Sequence, residues 1–354
     1  MILDKTRLLN QQLVNPTFRK PKDLVAWMGA MQAQEYAMMK WAVGIRLKSA
    51  TLQTVDKALE RGEILRTHIM RPTWHLVVAE DIRWMLKLSA ERIKSAFDSY
   101  AKGNGMELSS SQITQSYDLF EKVLSGNNSL TKQEIGEELL RNNLCVNDHR
   151  VTYLLTRAEQ DGIVCSGPDK AKKPTYALFE ERVPAAKDIT KDEALARLAQ
   201  NYFRSHAPAT LQDFVWWSGL TMNDAKQAIY LIETQLIKEQ LNDQTFFIHE
   251  SSRTRTRVTD SFLLLPSYDE YLISYKQRIH VLPLEHHPKA FSNNGLFYPV
   301  LLANGQVVGN WKKSVKRGQL CIEPVFWEET SVVDPSLIAA AQHQYETFIN
   351  PQNK

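Results

Sequence analysis

Ile163-Val164-Cys165-Ser166, then Gly167 to Pro174 carrying Lys170, Lys172 and Lys173, then Thr175-Tyr176-Ala177-Leu178-Phe179, is the stretch that decides the fold. Two runs of β-branched and aromatic residues flank a basic turn bounded by Gly and Pro, the pattern of a two-stranded ribbon. Upstream, helical spacing runs from Asp148 to Gln160 and stops at Asp161-Gly162. Before that, Ser129-Leu130-Thr131-Lys132-Gln133-Glu134 opens a short helix, with Thr131 a candidate N-cap and Glu134 at capping-box distance. A further helix, Ile113 to Leu124, ends at Ser125-Gly126-Asn127-Asn128. Helix, short helix, helix, strand, basic loop, strand is the order of a winged helix-turn-helix.

The order returns about 75 residues later, a spacing read from the sequence itself. Asp192 to Ser205 reads as a helix and Pro208 as a break. Thr210 caps Leu211–Ser218, Gly219 turns, and Thr221 caps a helix from Met222 to about Thr234. Leu236–Leu241, Asn242-Asp243-Gln244 and Thr245–His249 read as strand, turn and strand. The first hundred residues fit the same scheme. Leu24, Val25, Met28 and Met31 recur at helical spacing, as do Leu52, Val55, Ala58 and Leu59, and another helix runs from Asp81 to about Tyr100. Ile64 to Val78, interrupted at Arg71-Pro72, is the elaborated wing. A repeated unit makes each weak local reading stronger.

From Arg253 the character changes. Phe262–Leu265 is a buried strand cut by Pro266. Pro299–Ala303 and Gln306–Trp311 flank an Asn304-Gly305 hairpin turn, Leu320–Phe326 adds a strand, and Pro335–Phe348 is a last helix. The expected organisation is α+β: winged units over 1–105, 106–186 and 187–252, then a β-rich domain over 253–354.

Composition excludes several classes. The 354 residues carry 43 Lys+Arg against 40 Asp+Glu, with 43% hydrophobic residues and only 14 Gly and 14 Pro, which rules out wholesale disorder and collagen-like sequence. No run approaches the ~20 apolar residues of a membrane span, and the start lacks a signal-peptide layout. Cys145, Cys165 and Cys321 are too scattered for a disulfide framework or zinc site, so a reducing cytoplasm is expected. The net charge of +3 hides an asymmetry. Residues 1–100 hold 16 Lys+Arg against 10 Asp+Glu, while 321–354 hold one Lys against five acids. A basic front end suits a phosphate-facing surface, as it also suits many neutral enzymes.

The usual enzyme signatures are missing: there is no P-loop, dinucleotide fingerprint, Gly-x-Ser-x-Gly elbow or His-Glu-x-x-His helix. His286-His287 reads as a loop pair. The informative segment is Met31-Gln32-Ala33-Gln34-Glu35-Tyr36. Glutamines at i and i+2 face one side of an extended chain but diverge on a helix. Acting together, they require a turn or a helix end. Each amide offers two donors and a carbonyl acceptor, able to grip a water or a base edge. The same residues also suit an ordinary surface helix end.

With this segment and Trp41-Ala42-Val43-Gly44-Ile45-Arg46, three further blocks complete a pattern: Arg66 to Val77, Leu263 to Arg278, and Asn304 to Trp311. In that order they resemble the AlkZ- and YcaQ-like bacterial DNA glycosylases, from near the start to about Trp327. The resemblance implies three tandem winged helix-turn-helix units with a C-terminal β-barrel-like domain. It implies hydrolysis of the N-glycosidic bond of N7-alkylated purines, and in some members the unhooking of interstrand crosslinks. Gln32-Ala33-Gln34 matches the family's Gln–apolar–Gln motif, so Gln32 and Gln34 are implied to orient the attacking water. Gln277 stands where an Asp is expected.

Neutral amides suffice for such a reaction. An N7-alkylguanine is already cationic, so the leaving base needs no proton, and the transition state is oxocarbenium-like. Holding a water in place supplies several kcal/mol, while a true general base adds ~10²–10⁴-fold. The expectation is a monofunctional, cofactor-free and metal-free enzyme. It acts as a monomer on double-stranded DNA carrying alkylated purines, in the cytoplasm at the nucleoid.

Arg66, His68, Arg71, Thr73 and His75 are candidates for holding phosphates and the lesion strand. The structural alternative makes Trp74 core and lets the histidines satisfy buried backbone groups. Lys170, Lys172 and Lys173 on the wing tip, and Arg253, Arg255 and Arg257 on an alternating strand, are candidate phosphate contacts or an ordinary solvated face. Asp269 could anchor a loop or pair with Arg278. The competing function is a non-catalytic winged-helix DNA-binding protein or regulator, which the bare fold favours. Catalysis requires both amides exposed in one concave basic channel.

Overall fold

A computed structural model of the chain describes residues 3–144, 147–241, 243–254, 259–316, 319–328 and 333–351. It divides into two compact units. Unit 1 is Met1–Asp56 with Ala196–Lys354, and unit 2 is Lys57–Leu195.

Unit 1 opens with α1 (Leu3–Asn10) and α2 (Pro21–Met28). Pro21 takes the first turn, where its fixed φ suits the helix and its missing N–H costs nothing. The helical spacing that included Met31 does not continue that far. The helix ends at Met28, because Gly29 turns at φ +79° in a place where a Cβ would lie 2.7 Å from Asn201 Cβ. Met31 instead begins β1 (Met31–Gln32). α3 (Tyr36–Gly44) follows, its first N–H groups accepted by the Glu35 carboxylate, and then α4 (Leu52–Glu60).

Unit 2 contains the antiparallel hairpin β2 (Ile64–His68) and β3 (Trp74–Val78), closed by a loop in which Met70 stands at φ +60°. α5 (Ile82–Gly103), α6 (Ser110–Leu124), β4 (Leu130–Thr131), α7 (Lys132–Arg141) and α8 (Asp148–Gln160) come next. The Thr131–Glu134 capping box forms as its spacing predicts. The ribbon is β5 (Val164–Lys170) and β6 (Lys173–Leu178), followed by the single turn α9 (Phe179–Arg182). Its basic turn is tighter than the sequence suggests. The strands run on through Lys170 and Lys173, leaving Ala171 and Lys172 at φ +50° and +65° to reverse the chain. Leu119, Phe120, Ile135, Leu139, Leu154 and Val164 form the core beneath.

α10 (Lys191–Ser205) carries the chain back to unit 1, followed by α11 (Leu211–Ser218) and α12 (Met222–Leu231). Thr210 and Asp213 close a second capping box, and Gly219 supplies the left-handed turn at φ +66°. The hairpin β7 (Leu236–Leu241) and β8 (Gln244–His249) completes this segment. β9 (Phe262–Leu265), the short α13 (Glu270–Ile273) and α14 (His287–Ala290), β10 (Val300–Ala303), β11 (Gln306–Lys316), β12 (Gln319–Phe326) and α15 (Pro335–Ile349) finish the chain. Asn304 and Gly305 at φ +51° and +87° make the two-residue hairpin turn expected of them.

The expected barrel does not close. Among the described residues β9–β12 form an open antiparallel sheet in the order β12-β11-β10-β9. Four strands enclose no filled interior, since about eight are needed for that, and Pro266 ends β9 after four residues. The helix α15 covers β9 instead, setting Tyr345 and Phe348 against Trp41 with ring centroids 5.0 and 5.1 Å away. Trp41 Nε1 donates to the Leu264 carbonyl and Trp311 Nε1 to that of Leu265, both at 2.7 Å, so each buried indole is paired.

Candidate active site

The glutamine segment lies in unit 1. Gln32 ends β1, Ala33 is buried, and Gln34 and Glu35 form the bend that starts α3. This is the helix start that joint action of two glutamines requires. The expectation of two exposed amides holds only for Gln34. Gln32 is 4% exposed, and its carboxamide Oε1 has no hydrogen-bond partner among the described residues. A buried acceptor left unpaired costs ~1–3 kcal/mol. This oxygen is one of eighteen buried side-chain atoms of this kind among the described residues, and the one that belongs to the glutamine segment.

The Gln32 backbone is held firmly. Its N–H donates to Glu270 Oε1 in a short contact. Glu270 is 2% exposed, and its Oε2 accepts from the Ser274 hydroxyl, from Trp217 Nε1 at 3.3 Å and from His206 Nε2 at 3.3 Å. Burial pushes His206 below the ordinary imidazole range, against the opposing pull of the Glu270 carboxylate. Its Nε2 faces the carboxylate, and its Nδ1 lies 2.8 Å from the Ser205 hydroxyl, which donates to the Asn201 carbonyl at 2.6 Å. Burial alone would raise Glu270. The donors from His206, Ser274 and Gln32 overrule it and keep the carboxyl below its usual range.

The neighbouring Asp269 settles a question the sequence left open. It pairs with Arg46, not Arg278: Arg46 Nη1 and Nη2 reach its two oxygens at 2.8 and 2.7 Å, both side chains being essentially inaccessible. Arg46 also donates to the Ala42 carbonyl and to Gln11 Oε1. Asp269 caps α13 through the Tyr271 N–H at 2.9 Å. Arg278 Nε donates to the Leu272 carbonyl, and its guanidinium lies over Trp216, Phe291 and Phe297. Glu270 and Asp269 were missed as supports of the motif. Their only signal in the sequence was their place in the Leu263–Arg278 block.

Unit 2 holds the second set of candidates. Arg66, Trp74 and His68 form a stack along the β2–β3 hairpin. The guanidinium lies 4.0 Å from the indole centroid, and the imidazole lies 3.8 Å from it on a 40° tilt. Trp74 is therefore a half-buried layer of the stack and not a core residue. His68 is buried, with Nδ1 2.7 Å from Glu159 Oε2, so that ring nitrogen is committed within the fold. His75 Nδ1 donates to the Thr73 carbonyl at 2.9 Å, the backbone-satisfying role considered for it. Arg71 and Thr73 are half-buried in the hairpin loop. Lys172 and Lys173 are exposed at the ribbon tip, whereas Lys170 pairs with the Glu134 carboxylate.

Arg253 lies outside any strand and donates to the Asn15 carbonyl at 2.9 Å. Arg255 and Arg257 lie outside the described residues. No described helix is long and apolar enough to cross a membrane.

A family model described as DNA glycosylase AlkZ-like matches residues 25–348. The interstrand DNA cross-link repair glycosylase of Streptomyces sahachiroi is 23% identical over 320 residues, spanning 86% of this chain and 85% of that one. The solved structure of Streptomyces sahachiroi DNA glycosylase AlkZ matches with a TM-score of 0.79 over 98% of this chain and 96% of the other, at 20% identity, a likeness of fold. The class defined here is that of the DNA glycosylases. Within it, the chain belongs to the AlkZ-like DNA glycosylase family.

Proposed function

We propose that this enzyme hydrolyses the N-glycosidic bond of N7-alkylated purines in double-stranded DNA, with Gln32 and Gln34 positioning the attacking water. The observation that carries the reading is the buried Oε1 of Gln32, which has no hydrogen-bond partner among the described residues and is an acceptor suited to a water O–H. In the reaction the C1′–N9 bond breaks and its electron pair neutralises the cationic base. The water oxygen bonds to C1′, and its proton is released to solvent. No metal or cofactor is required, and intact neutral bases react little because nothing protonates them. The relative's name, interstrand DNA cross-link repair glycosylase, extends the reading to crosslinked purines.

The repeated helix–helix–helix–hairpin order is read as winged units over 106–186 and 187–252, with the 64–78 hairpin as the wing of a first unit over 1–105. Phosphates are contacted by Arg66, Arg71, Thr73, Lys172 and Lys173, with Arg253 and Lys170 contributing on release from their present partners. The enzyme works as a monomer in the cytoplasm, at the nucleoid.

The test is incubation with a duplex carrying a single N7-methylguanine, followed by alkaline cleavage at abasic sites. Wild-type protein cleaves at the lesion with EDTA present. Gln32→Ala and Gln34→Ala bind the duplex but cleave it at a small, measurable fraction of the wild-type rate. DNA binding without lesion-dependent cleavage by the wild type identifies a non-catalytic binding protein instead. Excision at the wild-type rate by both variants removes the glutamines from the mechanism.

A further inference from the structure

Glu270 is an unusual core residue. It is a carboxylate buried in unit 1 with no lysine or arginine among the described residues bonded to its oxygens, and with His206 Nε2 at 3.3 Å. Burying an unpaired carboxylate is costly, and a fold that needed only a packed core would place an apolar residue here. Its donors arrive from four separate segments: Gln32 from β1, His206 just after α10, Trp217 from α11, and Ser274 after α13. Asp269, the preceding residue, is clamped by Arg46 and caps α13, so the carboxylate sits on a fixed mount. Of the four donors, the Gln32 N–H is the one that belongs to the motif whose own side-chain oxygen is left without a partner.

We infer that Glu270 is a positioning residue for the reaction: its carboxylate fixes the Gln32 backbone so that the Gln32 carboxamide oxygen is held ready for water. This rests on the glycosylase reading of Gln32. Positioning at this level is exacting, because a shift of about 1 Å in a reacting group can cost ~10²-fold in rate. Glu270→Gln keeps the shape but sets an NH₂ against Trp217 Nε1–H, a group that can only donate. Glu270→Asp keeps the charge but is one methylene too short to reach both Gln32 and its other donors.

The experiment measures single-turnover excision of N7-methylguanine at saturating enzyme, with duplex affinity measured separately, for Gln32→Ala, Glu270→Gln, Glu270→Asp and the double variant Gln32→Ala/Glu270→Gln. The rate of each Glu270 variant is expected to fall about 10–100-fold, with affinity within twofold of wild type. The double variant is expected to be no slower than Gln32→Ala, because Glu270 acts through Gln32. A general structural role would lower the rate of the double variant further, and that additivity overturns the inference. If Glu270→Gln does not fold, Glu270→Asp decides by the same rate criterion and by the same cycle with Gln32→Ala. Glu270 variants at the wild-type rate beside a strongly slowed Gln32→Ala overturn this inference alone. A Gln32→Ala variant as fast as wild type overturns the motif reading and this inference with it.

Discussion

Asp269→Ala is the sharpest test of how unit 1 is held together. The substitution removes both bonds from Arg46, at 2.8 and 2.7 Å, and the 2.9 Å cap on α13. It leaves the Arg46 guanidinium fully buried with only the Ala42 carbonyl and Gln11 Oε1 as partners. Removing one member of a buried pair costs ~3–5 kcal/mol, because the surviving charge stays desolvated. Set against ~5–15 kcal/mol for a whole domain, that is a large part of unit 1's stability.

A chain of two compact units need not unfold in one step. Hydrogen exchange resolved by peptide under native conditions therefore suits the question better than a single melting curve. Peptides from α3, α13 and β9 should lose ~3–5 kcal/mol of protection, while those from α6 to α8 in unit 2 keep theirs. Replacing the pair together, Arg46→Met with Asp269→Leu, should recover most of the loss, apart from the cap. A cost below ~1 kcal/mol for Asp269→Ala would refute the claim that this pair anchors the loop bearing Glu270.

Three further outcomes are expected. Burial lowers His206, His249 and His280 from 6.5. The unfolded chain therefore binds protons first, and unit 1 loses stability as pH falls through 6.5. Glu270, held below its usual 4.5, continues the loss in more acid solution. Thermal melting across pH 8 to 4 checks this, and a melting point that rises on acidification from 7 to 5.5 contradicts it. The Cys165 thiol is buried, and burial pushes it up to about 12, so iodoacetamide should leave it unmodified in the native protein while the half-buried Cys321 reacts. Mass spectrometry of the two peptides decides. Finally, a Cβ at Gly44 would lie 2.4 Å from Phe348 Cε2. Gly44→Ala should thus cost ~1–3 kcal/mol by overpacking, partly relieved by Phe348→Leu. Equal denaturant midpoints for Gly44→Ala and wild type would show that α15 shifts freely.

What could be read from the sequence was set by local chemistry. Thr131 with Glu134, Thr210 with Asp213, and Asn304-Gly305 announce helix starts and a hairpin through contacts a few residues apart. The Gln32–Gln34 segment was visible only through a resemblance, since two glutamines carry little information alone. The misreadings have physical causes. Met31 keeps helical spacing, yet the positive φ of Gly29 takes it out of the helix. The barrel failed on strand number, which periodicity does not report. Asp269 was weighed against Arg278, nine residues away, while its partner Arg46 lies 223 residues back. The support beneath Gln32 was equally out of reach, because Glu270 meets it across 238 residues.

That separation bears on the order in which the protein can be built. The first segment of unit 1 places Arg7, Gln11, Lys40 and Arg46 among buried positions, yet the residues that neutralise Arg7 and Arg46, Asp213 and Asp269, are translated much later. At ~5–20 residues per second, Asp269 is made roughly 10–45 s after Arg46. Until then these two guanidiniums lack the carboxylates that pair with them in the finished fold, while the whole of Lys57–Leu195 has already been translated. Slow translation therefore lengthens the interval in which the first segment of unit 1, about a quarter of it, lacks these partners.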